Sequence, residues 1–364
     1  MDTLGLYIHV PFCGKKCRYC AFYSDCYSPV LAEEYVNAVI RNIRHYSHKN
    51  QVVDTLYFGG GTPSLLSSSQ LDRIITETKN GFALEENAEI TLEANPNTLN
   101  PQKLCELRKI GINRLSLGVQ SMNDHELAFL GRSHTAERAV KAVNDAFDAG
   151  FENISCDLML GIPKQTAESL EYSINRLAEL PIQHISAYIL KVEENTAFDC
   201  EEIRNALPDE DTSADMYLKM CSLLESKEFK QYEVSNFAKQ GFESRHNSRY
   251  WKCLDYLGIG PSAHSCYGGK RFAVPSHISD FVQSEVQSTV VTDESPCGFE
   301  ERAMLALRLK EGLDLDCIDS HREDIERKIP HLIKAGYAQF DGRFLSLTAK
   351  GFLMSNSVIE YVIF

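Results

Sequence analysis

"LGLYIHVPFCGKKCRYC", Leu4 to Cys20, starts as a β-rich apolar run, Leu4–Val10, and opens into three cysteines, Cys13, Cys17 and Cys20. Five runs of the same kind follow: "TLYF" (Thr55–Phe58), "AEITLEA" (Ala88–Ala94), "RLSLGV" (Arg114–Val119), "ISCDLML" (Ile154–Leu160) and "HISAYIL" (His184–Leu190). Several are nearly continuously apolar, as strands covered on both faces should be. Helical periodicity fills the gaps. Ala139, Val140, Val143, Ala146 and Phe147 recur at helical spacing, with Gly150 where a C-cap belongs. Asn100 and Pro101 read as N-cap and first helical residue, Leu104 and Leu107 face inward, and Gly111 ends that helix. Such βαβ repetition demands parallel strands joined by right-handed crossovers. Six units within about 190 residues fall short of the eight in a closed barrel. The predicted fold is α/β, an open partial (β/α)6 barrel, although a doubly wound sheet would give the same string.

The pattern changes past Pro275. "STVVTDESPCG" (Ser288–Gly298) reads as a polar linker with a turn. "EERAMLALRLK" then predicts a helix around Glu300–Lys310, and Ile325, Ile329, Leu332 and Ile333 mark a second that Gly336 ends. "YAQFDGRFLSLT" reads as a hairpin turning at Asp341-Gly342. The expected division is a barrel with its extension over 1–275, a linker over 276–298, and a small α+β winged-helix-like domain over 299–364.

Bulk properties remove several function classes. In 364 residues, 37 Lys and Arg face 51 Asp and Glu, a formal charge of −14. A broad nucleic-acid grip needs a basic face, so a DNA role for the winged shape is disfavoured against a lid or docking surface. The N-terminus shows no basic segment followed by an apolar run, and nowhere do 18 apolar residues stand in a row. Both features predict a cytoplasmic protein with no transmembrane segment. Peripheral membrane contact stays open where partners sit in the membrane, yet no amphipathic basic helix announces it. Thiols stay reduced in the cytosol, so clustered cysteines invite a metal reading. The other nine cysteines lack ligand spacing and read mostly as small buried hydrophobes.

Chemistry in a parallel barrel gathers on the loops after the strands' C-terminal ends. The first strand leads to the cysteines and the second to "GGGTPS", Gly59–Ser64. The third ends in Glu93, the fourth in Gln120, and the fifth carries Asp157 and runs into "GIPKQT". Five strand ends in succession point to one site. A structural zinc ion closes its tetrahedron with four protein ligands, whereas C-x3-C-x2-C offers three, with Phe22 where a fourth cysteine might follow. In a [4Fe–4S] cubane, three thiolates leave one iron for a small molecule. Lys15, Lys16 and Arg18 either offset the thiolates' charge or belong to a solvated loop.

These motifs carry a resemblance. C-x3-C-x2-C after "YIHVPF" resembles the signature of the radical S-adenosylmethionine (SAM) superfamily. "YFGGGTPSLL", "TLEANP", "RLSLGVQS", "LGRSH" and "GIPKQT" resemble its coproporphyrinogen-oxidase-like group, in matching order along nearly the whole chain. The resemblance implies a [4Fe–4S] cluster on Cys13, Cys17 and Cys20. Its open iron would be chelated by SAM, and one electron from the cluster, once reduced by a separate donor, would cleave the sulfonium. It further implies SAM contacts from Tyr7, from Tyr19 and Ala21 beside the cluster, and from the loop of Gly59, Gly60, Gly61 and Thr62. Glu93, Gln120, Arg132 and Asp157 match polar positions that hold the ribose and methionine ends. A carboxylate suits ribose hydroxyls or the ammonium, and an arginine suits the SAM carboxylate.

The second half separates branches of that group. His246-Asn247-x-x-Tyr250-Trp251 resembles a motif of the heme-chaperone branch. The resemblance implies heme as a further ligand, His246 as its candidate axial ligand with His264 behind it, and hemoproteins such as respiratory enzymes as recipients. Porphyrinogen-decarboxylating members resemble C-x3-C-x2-C-x-C and tend to carry an N-terminal extension. Here Phe22 occupies the extra cysteine's position and the first strand starts at about residue 4. Both features weigh against an oxygen-independent coproporphyrinogen III oxidase. That oxidase and another radical SAM enzyme remain the two alternatives.

Overall fold

The computed structural model describes residues 3–318 and 321–364. Twelve strands make one sheet: β1 Leu4–Val10, β2 Val52–Gly60, β3 Ala83–Ala94, β4 Arg114–Gln120, β5 Asn153–Leu160, β6 His184–Ile189, β7 Lys230–Gln231, β8 Asn236–Ala238, β9 Tyr256–Ile259, β10 His264–Tyr267, β11 Lys270–Ala273 and β12 Val290–Asp293. Their spatial order is β12-β11-β10-β9-β1-β2-β3-β4-β5-β6-β8-β7. The run from β9 through β1 to β6 is parallel, and antiparallel strands extend both edges. The six predicted strands are all present. "DYLGIG", absent from the strand prediction, adds a seventh parallel strand beside β1. The sheet stays open, with β12 and β7 as unjoined edges.

Crossovers α1 Pro29–Tyr46, α2 Ser68–Gly81, α3 Pro101–Lys109, α4 Asp124–Leu130, α5 Ala136–Asp148 and α6 Ala167–Ala178 connect the parallel strands. Asn100 caps α3 by accepting from the Lys103 N–H at 2.9 Å, as its sequence predicts. The apolar stripe of α5 buries Ala139, Ala142, Val143 and Ala146, but Phe147 lies at its edge and is 52% exposed.

The barrel strands alternate rather than being apolar throughout. Leu4, Leu6, Ile8 and Val10 of β1, Leu115, Leu117 and Val119 of β4, and Ile154, Cys156, Leu158 and Leu160 of β5 are all buried. Between them stand Tyr7 and His9, Arg114 and Ser116, and Ser155, Asp157 and Met159. With a side-chain period of two, one face of the sheet is apolar and the other carries polar groups. Side chains from β2 through β6 converge on one cavity, so the sheet curls around that polar face. This face is where chemistry can be placed.

Beyond the sheet, helices Phe299–Ala306 and Arg322–Lys334 join a three-stranded antiparallel sheet of Leu313–Asp314, Ala338–Phe340 and Phe344–Leu347. The hairpin turns at Gly342 with φ +101°, a conformation that favours glycine. The stretch 276–298, expected as a linker, instead carries helix Ile278–Gln283 and the edge strand β12. Val290 and Val291 are exposed on that strand, which hid its β character among polar neighbours. No helix among the described residues is long and apolar enough to cross a membrane.

A candidate cofactor site at the mouth of the barrel

The cysteine loop is tied down before its thiols are placed. Phe12–Cys13 pairs in parallel with Asp25–Cys26, closing the loop's base. The Arg18 N–H donates to Leu130 O, and the Phe198 N–H donates to Arg18 O. The Arg18 guanidinium lies over the rings of Phe129 and Phe198, at 5.5 and 5.2 Å, and so anchors the loop. Lys15 and Lys16 line the cavity mouth beside Cys13, Cys17 and Cys20. All three thiols are free and partly exposed. Burial, the largest cause, pushes the Cys20 thiol up.

Thiolates on one tetrahedral zinc would crowd to about 3.8 Å apart, given a Zn–S bond of about 2.3 Å. Among the described residues, a Cys253, Cys297 and Glu301 set places all its ligand atoms within 4.8 Å of one another, and the Cys13, Cys17 and Cys20 thiols form no such set. Three thiols also leave a tetrahedral zinc one protein ligand short, whereas a cubane takes one thiolate per iron and leaves one iron open. The donor set therefore suits a [4Fe–4S] cluster better than a single ion.

The cavity behind this loop has a volume of about 660 Å³. Gly60, Gly61 and Thr62 form one wall. The Gly61 and Thr62 N–H groups donate to Val10 O and Phe12 O, at 2.9 and 2.6 Å, which locks the glycine loop against the cysteine loop. Gly60 has φ +108°, and a Cβ there would meet the His9 ring at 2.7 Å. At Gly61 a Cβ would meet Phe12 O at 2.6 Å. Only glycine allows this approach.

Glu93 accepts the Tyr57 hydroxyl at 2.7 Å on Oε1 and the Gly60 N–H at 3.1 Å on Oε2. Burial raises its carboxyl to about 7, with Asp157 adding to the shift and Tyr57, Gly60 and Arg114 opposing it. Asp157 accepts from Ser116 Oγ at 3.5 Å, and burial raises it to about 6 against the pull of Arg132 and Arg114. Gln120 closes β4 at φ +71°, where the pairing with β5 shifts register, and accepts the Tyr188 hydroxyl at 2.9 Å. Arg132 follows α4 and donates from Nη1 to Cys17 Sγ at 3.3 Å and from Nη2 to Gly118 O. Its Nε is buried without a partner.

Tyr19, Ala21, Gly60, Gly61, Thr62, Glu93, Gln120, Arg132 and Asp157, with the three cysteines, thus share one cavity. Tyr7 stands one layer behind. Its hydroxyl bonds His9 Nδ1 at 3.0 Å, its ring lies 6.1 Å from Tyr57, and Tyr57 takes the place on the cavity wall.

His246 is placed elsewhere. It is 0% exposed, and each ring nitrogen already shares a hydrogen bond, Nδ1 with Thr55 Oγ1 and Nε2 with the Tyr250 hydroxyl, both at 2.8 Å. Its ring stacks 5.0 Å from Tyr57. Burial lowers its pKa to about 3. Glu89 at the start of the inward face of β3 accepts the N–H groups of Arg245 and His246, seating helix Arg245–Trp251 in the barrel. Arg249 of that helix pairs with Asp54 at 2.6 Å and donates to Asp255 O. The expected heme ligand is thus part of a plug that closes the barrel floor, with no ring nitrogen free for iron. Of that plug, Asn247 reaches the cavity. His264 begins β10 and is exposed.

Several lining residues escaped the sequence reading: Tyr57, Arg114, Ser116, Ser186, Tyr188 and Asn236. Arg114 is 1% exposed, and its Nε and Nη1 have no partner. The signal was present, since "RLSLGV" alternates polar and apolar from Arg114 onward. Conversely, Gln165 of "GIPKQT" is structural. It donates to buried Glu126, which also accepts from Ser121 and Ser169, holding two strand-end loops together.

Comparison with known proteins agrees with this geometry. Residues 7–177 match the Radical SAM superfamily, and residues 299–354 match the HemN C-terminal domain. The protein named heme chaperone HemW from Lactococcus lactis subsp. lactis is 33% identical, over 97% of this chain and 96% of its own length. That of Bacillus subtilis is 34% identical over 97% of each, and that of Escherichia coli is 32% identical over 99% and 98%. The solved structure of coproporphyrinogen III oxidase (HemN) from Escherichia coli, described as a radical SAM enzyme, superposes with a TM-score of 0.83. It covers 99% of this chain and 90% of its own at 24% identity, a likeness of fold. The chain belongs to the HemW family of the radical SAM superfamily, and that membership implies a [4Fe–4S] cluster and SAM.

Proposed function

We propose that this chain is a radical-SAM-type heme chaperone of the cytoplasm, which binds heme and hands it to hemoproteins such as respiratory enzymes. The observation that carries the reading is identity of about a third with curated heme chaperones over nearly the full length of both partners. Phe22, 67% exposed at the cavity rim, supports it over porphyrinogen decarboxylation, because the decarboxylating pattern puts a cysteine there.

Cys13, Cys17 and Cys20 would hold the cluster, and Lys15 and Lys16 at the same mouth offset its negative charge. When bound, such a cluster supplies one electron to the sulfonium of SAM. The chain's own residues bind and orient. The glycine-loop backbone and the Glu93 carboxylate would hold the SAM ammonium, and Arg132, which donates to Cys17 here, would hold the SAM carboxylate. Tyr57, Tyr188 and the Arg245–Trp251 plug exclude water from below.

His246 does not fit heme ligation in this fold, and no step is assigned to it. His264, with its ring at the surface, is the histidine carried forward. The test is titration of hemin into anaerobically reconstituted protein, followed by transfer to an apo-hemoprotein and incubation with coproporphyrinogen III under reducing conditions. A growing Soret band, heme transfer and no vinyl product are expected. Absence of the band, or turnover of coproporphyrinogen III, would overturn the reading.

A further inference from the structure

Three cysteines that lie far apart in sequence meet on the opposite flank of the sheet. Cys253 follows the barrel plug, Cys266 sits in β10, and Cys297 precedes helix Phe299–Ala306. The Sγ atoms of Cys266 and Cys297 are 3.9 Å apart. Cys253, Cys297 and Glu301 each offer a ligand atom within 4.8 Å of the others. The Cys297 N–H donates to Glu301 Oε2 at 2.6 Å, and Arg271 of β11 pairs with Oε1.

The spacing has a chemical meaning. Zinc holds thiolates at about 2.3 Å, which puts two of them about 3.8 Å apart in a tetrahedron, and three sulfurs with one carboxylate complete a four-ligand set. The 3.9 Å contact of Cys266 with Cys297 already meets that separation; Cys266 lies outside the group formed by Cys253, Cys297 and Glu301 and would join it as the fourth ligand through Cys297. Arg271 does not oppose the ion, because three thiolates and a carboxylate outweigh a divalent charge and the guanidinium offsets part of the excess. Ligands from three separate segments also explain what the site would do. Cys253 and Cys297 are 44 residues apart, so an ion between them cross-links the edge of the barrel to the first helix of the C-terminal unit. Because no such constellation persists in the unfolded chain, metal binding becomes folding stability.

We propose that Cys253, Cys266, Cys297 and Glu301 form a second metal site, for a thiophilic divalent cation such as Zn2+, that staples the barrel edge to the C-terminal helix. The site is independent of the cysteine loop at the barrel mouth.

The test uses full-length protein with its cluster reconstituted anaerobically, equilibrated with Zn2+ and washed with a weak chelator. One equivalent of zinc is expected, with X-ray absorption showing sulfur-dominated coordination and with Tm raised by a few degrees. Cys297→Ser and Cys253→Ser should each lower retained zinc by more than the roughly 10- to 100-fold that loss of a hydrogen-bond partner behind a ligand costs. Their iron content should stay at the wild-type level, which also shows that the variants fold. Cys105→Ser, an exposed thiol elsewhere, should change nothing. Failure of wild type to retain zinc, retention by both variants, or a Cys266–Cys297 disulfide in protein kept under reductant would each overturn the proposal.

Discussion

The Tyr57 hydroxyl donates to Glu93 Oε1 at 2.7 Å, and the same Tyr57 ring lies 5.0 Å from the buried His246 ring. One tyrosine therefore couples the wall of the cofactor cavity to the plug beneath it.

Glu93 sets a pH dependence. Its carboxyl titrates near 7, against an ordinary value of 4.5, so the folded ligand-free protein keeps a proton that the unfolded chain has released. Its contribution to stability is present below the unfolded value and lost as pH rises from about 4.5 to about 7. Accepting from an ammonium needs the carboxylate, so SAM should bind more weakly as pH falls below about 7. Glu93→Gln should flatten both profiles, measured by calorimetry and by chemical denaturation. A wild-type affinity constant between pH 5.5 and 8 would refute the role.

Arg114 tunes that titration. It lowers the pKa of both Glu93 and Asp157 from beneath the cavity. Arg114→Met should move the pH midpoint of SAM binding upward and leave the cluster's absorbance intact. An unshifted midpoint would mean that the buried guanidinium acts on neither carboxylate.

His246→Ala should destabilise the fold rather than remove a heme ligand. It leaves the Thr55 and Tyr250 hydroxyls without partners and opens a cavity against Tyr57, a loss of roughly 3 kcal/mol. Hemin should still develop its Soret band in the folded variant, whereas His264→Ala should weaken it. A band lost only in His246→Ala would restore the ligand role and require the plug to open.

Cys17→Ser should abolish the cluster's absorbance and keep the far-ultraviolet dichroism of the barrel, since the loop is partly exposed and lies outside the buried core. A full iron complement in this variant would remove Cys17 from the ligand set.

Arg132→Ala should weaken SAM about 10- to 100-fold, the range expected for a charge-assisted hydrogen bond of about 1.5–3 kcal/mol. Gly118→Ala should mimic part of that loss, because a Cβ there would meet Arg132 Nη2 at 2.9 Å. Wild-type affinity in both variants would show that Arg132 stays on Cys17 when SAM binds.

Much of the fold was legible because its signals are local. Strand and helix periodicity, the Asn100 cap and the Gly342 turn depend on neighbours a few residues away, and these positions appear as expected. β9 was missed because Gly258 and the following Gly260-Pro261 read as turn residues, and β12 because its exposed valines stand among polar neighbours. For the site, strand-end reasoning brought the cysteines, the glycine loop, Glu93, Gln120 and Asp157 to one cavity, since parallel strands must end on the same side, and the family resemblance added Arg132.

By itself the sequence determined which residues sit at the barrel mouth, through the spacing of three thiols on one loop and the register of polar groups at successive strand ends. Only the tertiary structure decided what helix Arg245–Trp251 does, and where Cys253, Cys266 and Cys297 go. A motif written on a short helix says nothing about which side of a curled sheet it will face. Thiols separated by tens of residues become neighbours only once the sheet edge and the following helix have packed together.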